Sequence, residues 1–166
     1  MPINESLIAE FQQEAASTRK ILERVQEKDF SWKPHEKSMS LGELSHHLAE
    51  ISTWTGVTIE QEEFDFSKMD YKPPVQTTTA NLLKFFDDNL NNALDTLKKA
   101  SDEKLSGTWT MKNGDKVYFT LPKMAVIRSF VLSHTIHHRG QLSVYLRLLG
   151  IPLPQIYGPT ADESSF

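Results

Sequence analysis

Apolar residues recur every three or four positions along most of this chain, the period of a helix with one buried face. From about Ile3 to Glu27, the residues Leu7, Phe11, Ala15, Thr18, Leu22 and Val25 make one such stripe. It stops before the Asp29–Lys37 loop, where Pro34 cannot continue a helix. A second helix is predicted from near Ser40 to about Glu63. Ser40-Leu41-Gly42-Glu43 opens it as a capping box, in which the Ser hydroxyl and the Glu carboxylate satisfy backbone N–H groups that lack partners inside the helix. A loop containing Tyr71-Lys72-Pro73-Pro74 follows. The third helix is predicted from about Thr79 to Ala100, with Leu82, Phe85, Phe86, Leu90, Leu94 and Leu97 on its core face.

The pattern changes over residues 107–120. Asn113-Gly114 is flanked by strand formers from Trp109 to Met111 and from Val117 to Phe119, the strongest short signal for a hairpin. The fourth helix is predicted to begin around Pro122, a residue suited to a first turn, and to stop at Gly150. From Ile151 to Phe166, Pro152, Pro154, Gly158 and Pro159 predict an extended tail. The expected fold is all-α: a four-helix bundle with a short β-hairpin excursion before the last helix and an extended C-terminal tail, in a single domain over residues 1–166. The long gap between the second and third helices, and the hairpin, leave room for crossover connections.

The helical step of about 100° per residue shows where the histidines point. With Ile127 at zero, His134 falls about 20° to one side and His138 about 20° to the other, both in the middle of the stripe. His137 falls about 80° off, on the stripe's flank. Gln141 falls about 40° off on the His134 side, and Tyr145 lines up with Ile127, so both also point inward. On the second helix, with Leu44 at zero, His47 falls about 60° off, at the stripe's edge. His46 falls about 200° round, on the opposite face, and reads as a solvated surface residue. Histidines at i and i+4 are neighbours on one face and can both ligate one cation. His134 and His138, with His47 from a facing helix, therefore make a candidate metal site. A register shift of one residue would exchange His46 for His47. The alternative is that these are core histidines bonded to ordinary partners. His35 lies in a loop and takes no role.

Composition narrows the chemistry. The chain has 166 residues, a net charge of −4, no cysteine and six histidines. Without cysteine there are no disulfides, thiolate metal sites or cysteine nucleophiles. Lys and Arg are scattered, which argues against a nucleic-acid surface. The N-terminal residues Met1 to Ser6 lack a basic and apolar leader, and no apolar run approaches the ~18 residues of a membrane span. A cytoplasmic protein without nucleic-acid or membrane partners is expected. Three imidazoles with no fourth protein ligand leave a position for water or substrate, the mark of a catalytic metal site. Zn(II) and Ni(II) head the candidate metals, followed by Fe, Mn or Cu. Thr135 follows His134, so the glutamate base of a His-Glu-x-x-His metalloprotease is missing.

The string His134-Thr135-Ile136-His137-His138-Arg139-Gly140-Gln141, with Tyr145-Leu146-Arg147 and Gly150 after it, resembles the DinB-like (DinB/YfiT) family. Ser40-Leu41-Gly42-Glu43-Leu44 leading into His47-Leu48, and the tail from Ile156 to Glu163, extend the resemblance over most of the chain. It implies a four-helix bundle, often a homodimer, with a divalent metal held by one histidine of the second helix and two of the last, which correspond to His47, His134 and His138. It also implies transferases and isomerases that use a low-molecular-weight thiol such as bacillithiol or mycothiol. A bacillithiol-type S-transferase is the expected function. The alternatives are a hydrolase using metal-activated water and a non-catalytic metal-binding stress protein. With no cysteine in the chain, any thiol must come from a small-molecule cosubstrate. Gln141 and Tyr145 are candidate catalytic residues, placed to orient water or substrate. Arg139 reads as a surface residue or as a partner of Asp162 or Glu163. Trp54 reads as core or interface. Gly140, in mid-helix, calls for the close approach of another helix or of the tail.

Overall fold

The computed structural model describes residues 2–69 and 77–164, so the expected Tyr71–Pro74 loop lies outside the described residues. The described chain is mostly helical, with a small sheet. Helix α1 (Ile3–Leu22) buries Leu7, Phe11, Ala15, Thr18, Ile21 and Leu22. It ends earlier than Glu27 because Arg24 and Val25 bond back three residues, to Ile21 and Leu22, and this tightens the last turn.

Helix α2 (Leu41–Glu50) opens on the capping box. Ser40 Oγ accepts from the Glu43 N–H at 3.1 Å, and the Ser40 N–H donates to Glu43 Oε2 at 2.7 Å. Gly42 lets the chain before it approach closely: a Cβ there would stand 3.1 Å from the Phe30 carbonyl oxygen. The helix does not run on to Glu63. It tightens to a 3-10 turn at Ile51–Thr53, resumes as α3 (Trp54–Glu60) and gives way to strand β1 (Glu63–Asp65). Thr53, Thr55, Val57, Thr58 and Ile59 are β-branched, which weakens regular helix over this stretch.

Helix α4 (Thr79–Lys99) and the short α5 (Asp102–Ser106) lead into β2 (Thr108–Asn113) and β3 (Lys116–Pro122). The hairpin turns at Gly114, with φ 57°. β1 adds to β2 in parallel, giving a three-stranded sheet in the order β1-β2-β3 among the described residues. Beyond it, Lys123 is buried, and its ammonium donates to the carbonyls of Ile59 (3.0 Å) and Gln61 (2.6 Å) and to Glu62 Oε1 (3.0 Å). These bonds satisfy the carbonyls at the end of α3 and fasten it to the last helical stretch.

That stretch is α6 (Lys123–Val126), one wide π turn (Ile127–Leu132) and α7 (Ser133–Leu148). α1 and α2 each pack on both α4 and α7. The expected count of four helices is thus amended: the second breaks in two, α5 is extra, and the last is interrupted. A π turn absorbs one residue more than an α turn, which rotates everything after it by about 100°. The face of α7 that reaches the core is therefore Arg139, Leu142 and Leu146. His134, His138 and Tyr145 move to the half-buried flank, and Gln141 becomes exposed.

Arg139 is consequently buried and does not meet Asp162 or Glu163. It donates to Glu14 Oε2 (2.7 Å), to the Glu14 carbonyl (3.0 Å) and to Thr18 Oγ1 (3.2 Å) on α1. Tyr157 of the tail closes over this pair. Its hydroxyl donates to Glu14 Oε2 at 2.6 Å and accepts from Arg139, whose guanidinium lies 4.9 Å from the ring centre. The tail is held further by Arg147 to Asp162 and by Arg24 to Glu163.

Gly140 has nothing within 4 Å of where its Cβ would stand, so neither tail nor helix accounts for it. Gly140→Ala is expected to stabilise the protein by about 0.5–1 kcal/mol, through helix propensity alone. Urea denaturation will show this. A loss of stability would mean that something packs against this position in solution.

Candidate metal centre

α2 contributes His47, and α7 contributes His134 and His138, one turn apart. One ring nitrogen from each lies within 4.8 Å of the other two. All three side chains are half-buried. Nε2 of His47 and Nε2 of His134 stand 3.3 Å apart. Two nitrogens bound to one cation at about 2.0–2.1 Å with tetrahedral angles would be separated by about 3.3–3.4 Å, so the pair fits a shared ion. The His138 ring packs 4.6 Å from each of the other two ring centres. Its Nδ1 bonds Gln141 Oε1 at 2.7 Å. An amide oxygen can only accept, so the proton sits on Nδ1 and Nε2 keeps its lone pair for a metal. The group can hold a divalent cation.

Electrostatics agree with the donor chemistry. Burial, followed by the neighbouring imidazoles His138 and His46, lowers the pKa of His47 to about 4. Burial, followed by His138 and His47, lowers that of His134 to about 4. Burial also lowers His138, against the opposing pull of Gln141. At neutral pH the rings are uncharged ligands. In the metal-free protein this has a sign: below about pH 6.5 the unfolded chain binds protons that folded His47 and His134 refuse. Thermal stability of the metal-free protein should therefore fall as pH drops from about 6.5 towards 4. A flat melting temperature over that window would contradict the burial of these rings.

The remaining histidines separate cleanly. His46 is not a surface residue: it is 6% exposed, and its ring stacks on Phe85 of α4 at 5.0 Å. α2 is buried on two sides, by α4 as well as α7, so the face opposite the first stripe is also covered. His137 is exposed, and so is His35, whose Nδ1 accepts from the Lys37 N–H at 3.2 Å. Tyr145 is half-buried. Its ring meets Trp32 edge-on at 5.5 Å, and its hydroxyl donates to the Met39 carbonyl at 3.2 Å. Sequence reasoning left out Glu50, which lines both of the cavities that share His47. Its signal is a carboxylate one turn along the same helix.

The fold and centre define a class: helical proteins that gather three histidines from two helices into one potential metal site. The sequence model of the DinB family matches residues 1–165, and the chain belongs to that family. The uncharacterized protein YrdA of Bacillus subtilis is 25% identical over 153 residues, covering 90% of this chain and 85% of YrdA. The crystal structure of a DinB-like protein from Bacillus cereus is similar in fold, with a TM-score of 0.72 and 20% identity over 92% of this chain and 97% of that one. The DinB-like protein YjoA of B. subtilis gives a TM-score of 0.71 at 20% identity, covering 91% of this chain and 96% of that one. Among the described residues, no helix is long and apolar enough to cross a membrane.

Proposed function

We propose that this protein is a metal-dependent transferase that uses a low-molecular-weight thiol of the bacillithiol type. The observation that carries the reading is the three-histidine group, with uncharged rings, in a chain that has no cysteine of its own. A divalent metal bound there, Zn(II) or Ni(II) first, would lower the pKa of a thiol or water and supply a nucleophile at neutral pH. In the transfer, the sulfur of the thiol bonds to an electrophilic carbon, the leaving group departs with the bonding electrons, and the thiol proton passes to solvent.

The chain's own residues have distinct tasks. His47, His134 and His138 are the ligands. Gln141 is a positioning residue that fixes the tautomer and tilt of His138 through the Nδ1 bond. Tyr145 ties α7 to the segment before α2 through Met39, beside the entrance to the site. The assembly proposed with this reading is a homodimer in the cytoplasm, with small-molecule partners. Light scattering of the purified protein reads the assembly directly.

Gln141→Ala is expected to weaken metal affinity by about 10–100-fold while leaving the ligands in place. Competition against a chromophoric chelator measures it, and unchanged affinity would remove the positioning role. Activity is tested with the Zn- or Ni-loaded protein, bacillithiol and a panel of electrophiles. Turnover that chelation abolishes and metal restores supports the reading. No turnover with any thiol overturns it. Ester hydrolysis in the absence of thiol would then identify the hydrolase, and inactivity in both assays the binding protein.

A further inference from the structure

Two cavities meet at His47. One, of about 480 Å³, is lined by polar and charged side chains, including Lys33, Lys37, Ser38 and Glu43. The other, of about 460 Å³, lies between α3, α4 and β1 and is walled by Thr53, Trp54, Val57, Phe64 and Phe85. Both are of the size that holds a small organic ligand. They differ in what their walls can recognise.

The apolar cavity is built from rings in fixed orientations. Trp54 meets Phe64 edge-on at 4.8 Å and Phe130 edge-on at 5.3 Å. Phe130 in turn lies 5.6 Å from the His134 ring. Phe85 is held flat by its stack on buried His46. Ring contacts thus run unbroken from Phe64 on the sheet through Trp54 and Phe130 to His134, and Phe64, Trp54 and Phe85 wall the cavity itself. Trp54, expected in the core or an interface, is half-buried and forms part of this wall. Such a wall favours a planar ring, through offset and edge-to-face contacts, over an aliphatic group of equal size. Its one charged lining group is the Glu50 carboxylate, which it shares with the polar cavity, so the wall offers an anionic group nothing in exchange for lost water.

We propose that this cavity is the subsite for a flat aromatic group without negative charge on the acceptor substrate, and that the hydrophilic co-reactant enters by the polar cavity that shares His47 and Glu50 with it. The proposal deepens the thiol-transfer reading, and its chemistry rests on that reading; the binding itself does not.

The test is equilibrium binding of 1-naphthylmethanol to the full-length Zn-loaded protein, measured by titration calorimetry. Val57→Trp fills the cavity, and Thr53→Trp blocks its exposed lip at a position where folding is least at risk. Each variant that folds should weaken binding by about tenfold or more with zinc stoichiometry unchanged. Cyclohexylmethanol should bind wild type more weakly than the naphthyl compound. Absence of naphthyl binding at millimolar concentration, or binding that neither variant weakens, overturns the subsite. Binding lost in the variants without turnover by wild type leaves the subsite standing and removes thiol transfer. Turnover of aromatic electrophiles that the variants do not slow removes the subsite alone.

Discussion

Glu14→Ala is expected to destabilise the protein by about 3–5 kcal/mol, because it leaves the Arg139 guanidinium buried without its counter-charge. Arg139 and Glu14 side chains are 3% and 9% exposed, so water cannot replace the lost partner. For a chain of this length the shift in melting temperature should be roughly 6–20 °C. Glu14→Gln should cost less, since it keeps an acceptor for the guanidinium and for the Tyr157 hydroxyl. Replacing both charges together, Glu14→Met with Arg139→Met, should recover much of the loss, since the cost lies in the unpaired charge rather than in the missing contact. Urea denaturation of the four proteins decides it. A Glu14→Ala variant within about 0.5 kcal/mol of wild type would show that the pair is solvated in solution.

The second large effect concerns the metal. The protein is expected to bind one divalent ion per chain, and His134→Ala or His47→Ala to lower its affinity by about 10²–10³-fold, one ligand's share of a typical zinc binding energy. His137→Ala serves as the control, since His137 is exposed and outside the cluster. Chelation should also lower thermal stability, by as much as about 4 kcal/mol when free metal had been at a thousand times Kd. Elemental analysis of untagged protein gives the stoichiometry. Metal content that His134→Ala leaves unchanged would place the ion elsewhere.

The turn chemistry was readable in the residues because it is local. Ser40 with Glu43 announces the start of α2, and Asn113-Gly114 announces the hairpin. The identity of the three clustered histidines was readable too, since His134 and His138 are one turn apart under any helical register. What could not be read was their depth. Counting about 100° per residue from Ile127 places them mid-stripe and sends Arg139 outward, because the count assumes an unbroken α-helix. The π turn at Ile127–Leu132 reverses the two positions. No residue in that stretch signals a wide turn. His46 was misplaced for a similar reason. A single stripe on α2 gives no warning that α4 covers the other face. β1 is three residues long and has its partner far along the chain, so no local pattern marks it.

The clasp around Glu14 also sets an order of events during synthesis. Glu14 is made 125 residues before Arg139 and 143 before Tyr157, and Arg24 is made 139 before Glu163. At about 5–20 residues per second, the wait between Glu14 and Arg139 is roughly 6–25 s. Throughout that interval the growing chain can form α1, but it has nothing to bury the carboxylate against. Glu14 must stay in water, and the face of α1 that carries it must stay open. α1 can dock on α4 as soon as that helix is made, but closure of its Glu14 face is deferred until α7 has emerged, and the tail then seals the joint.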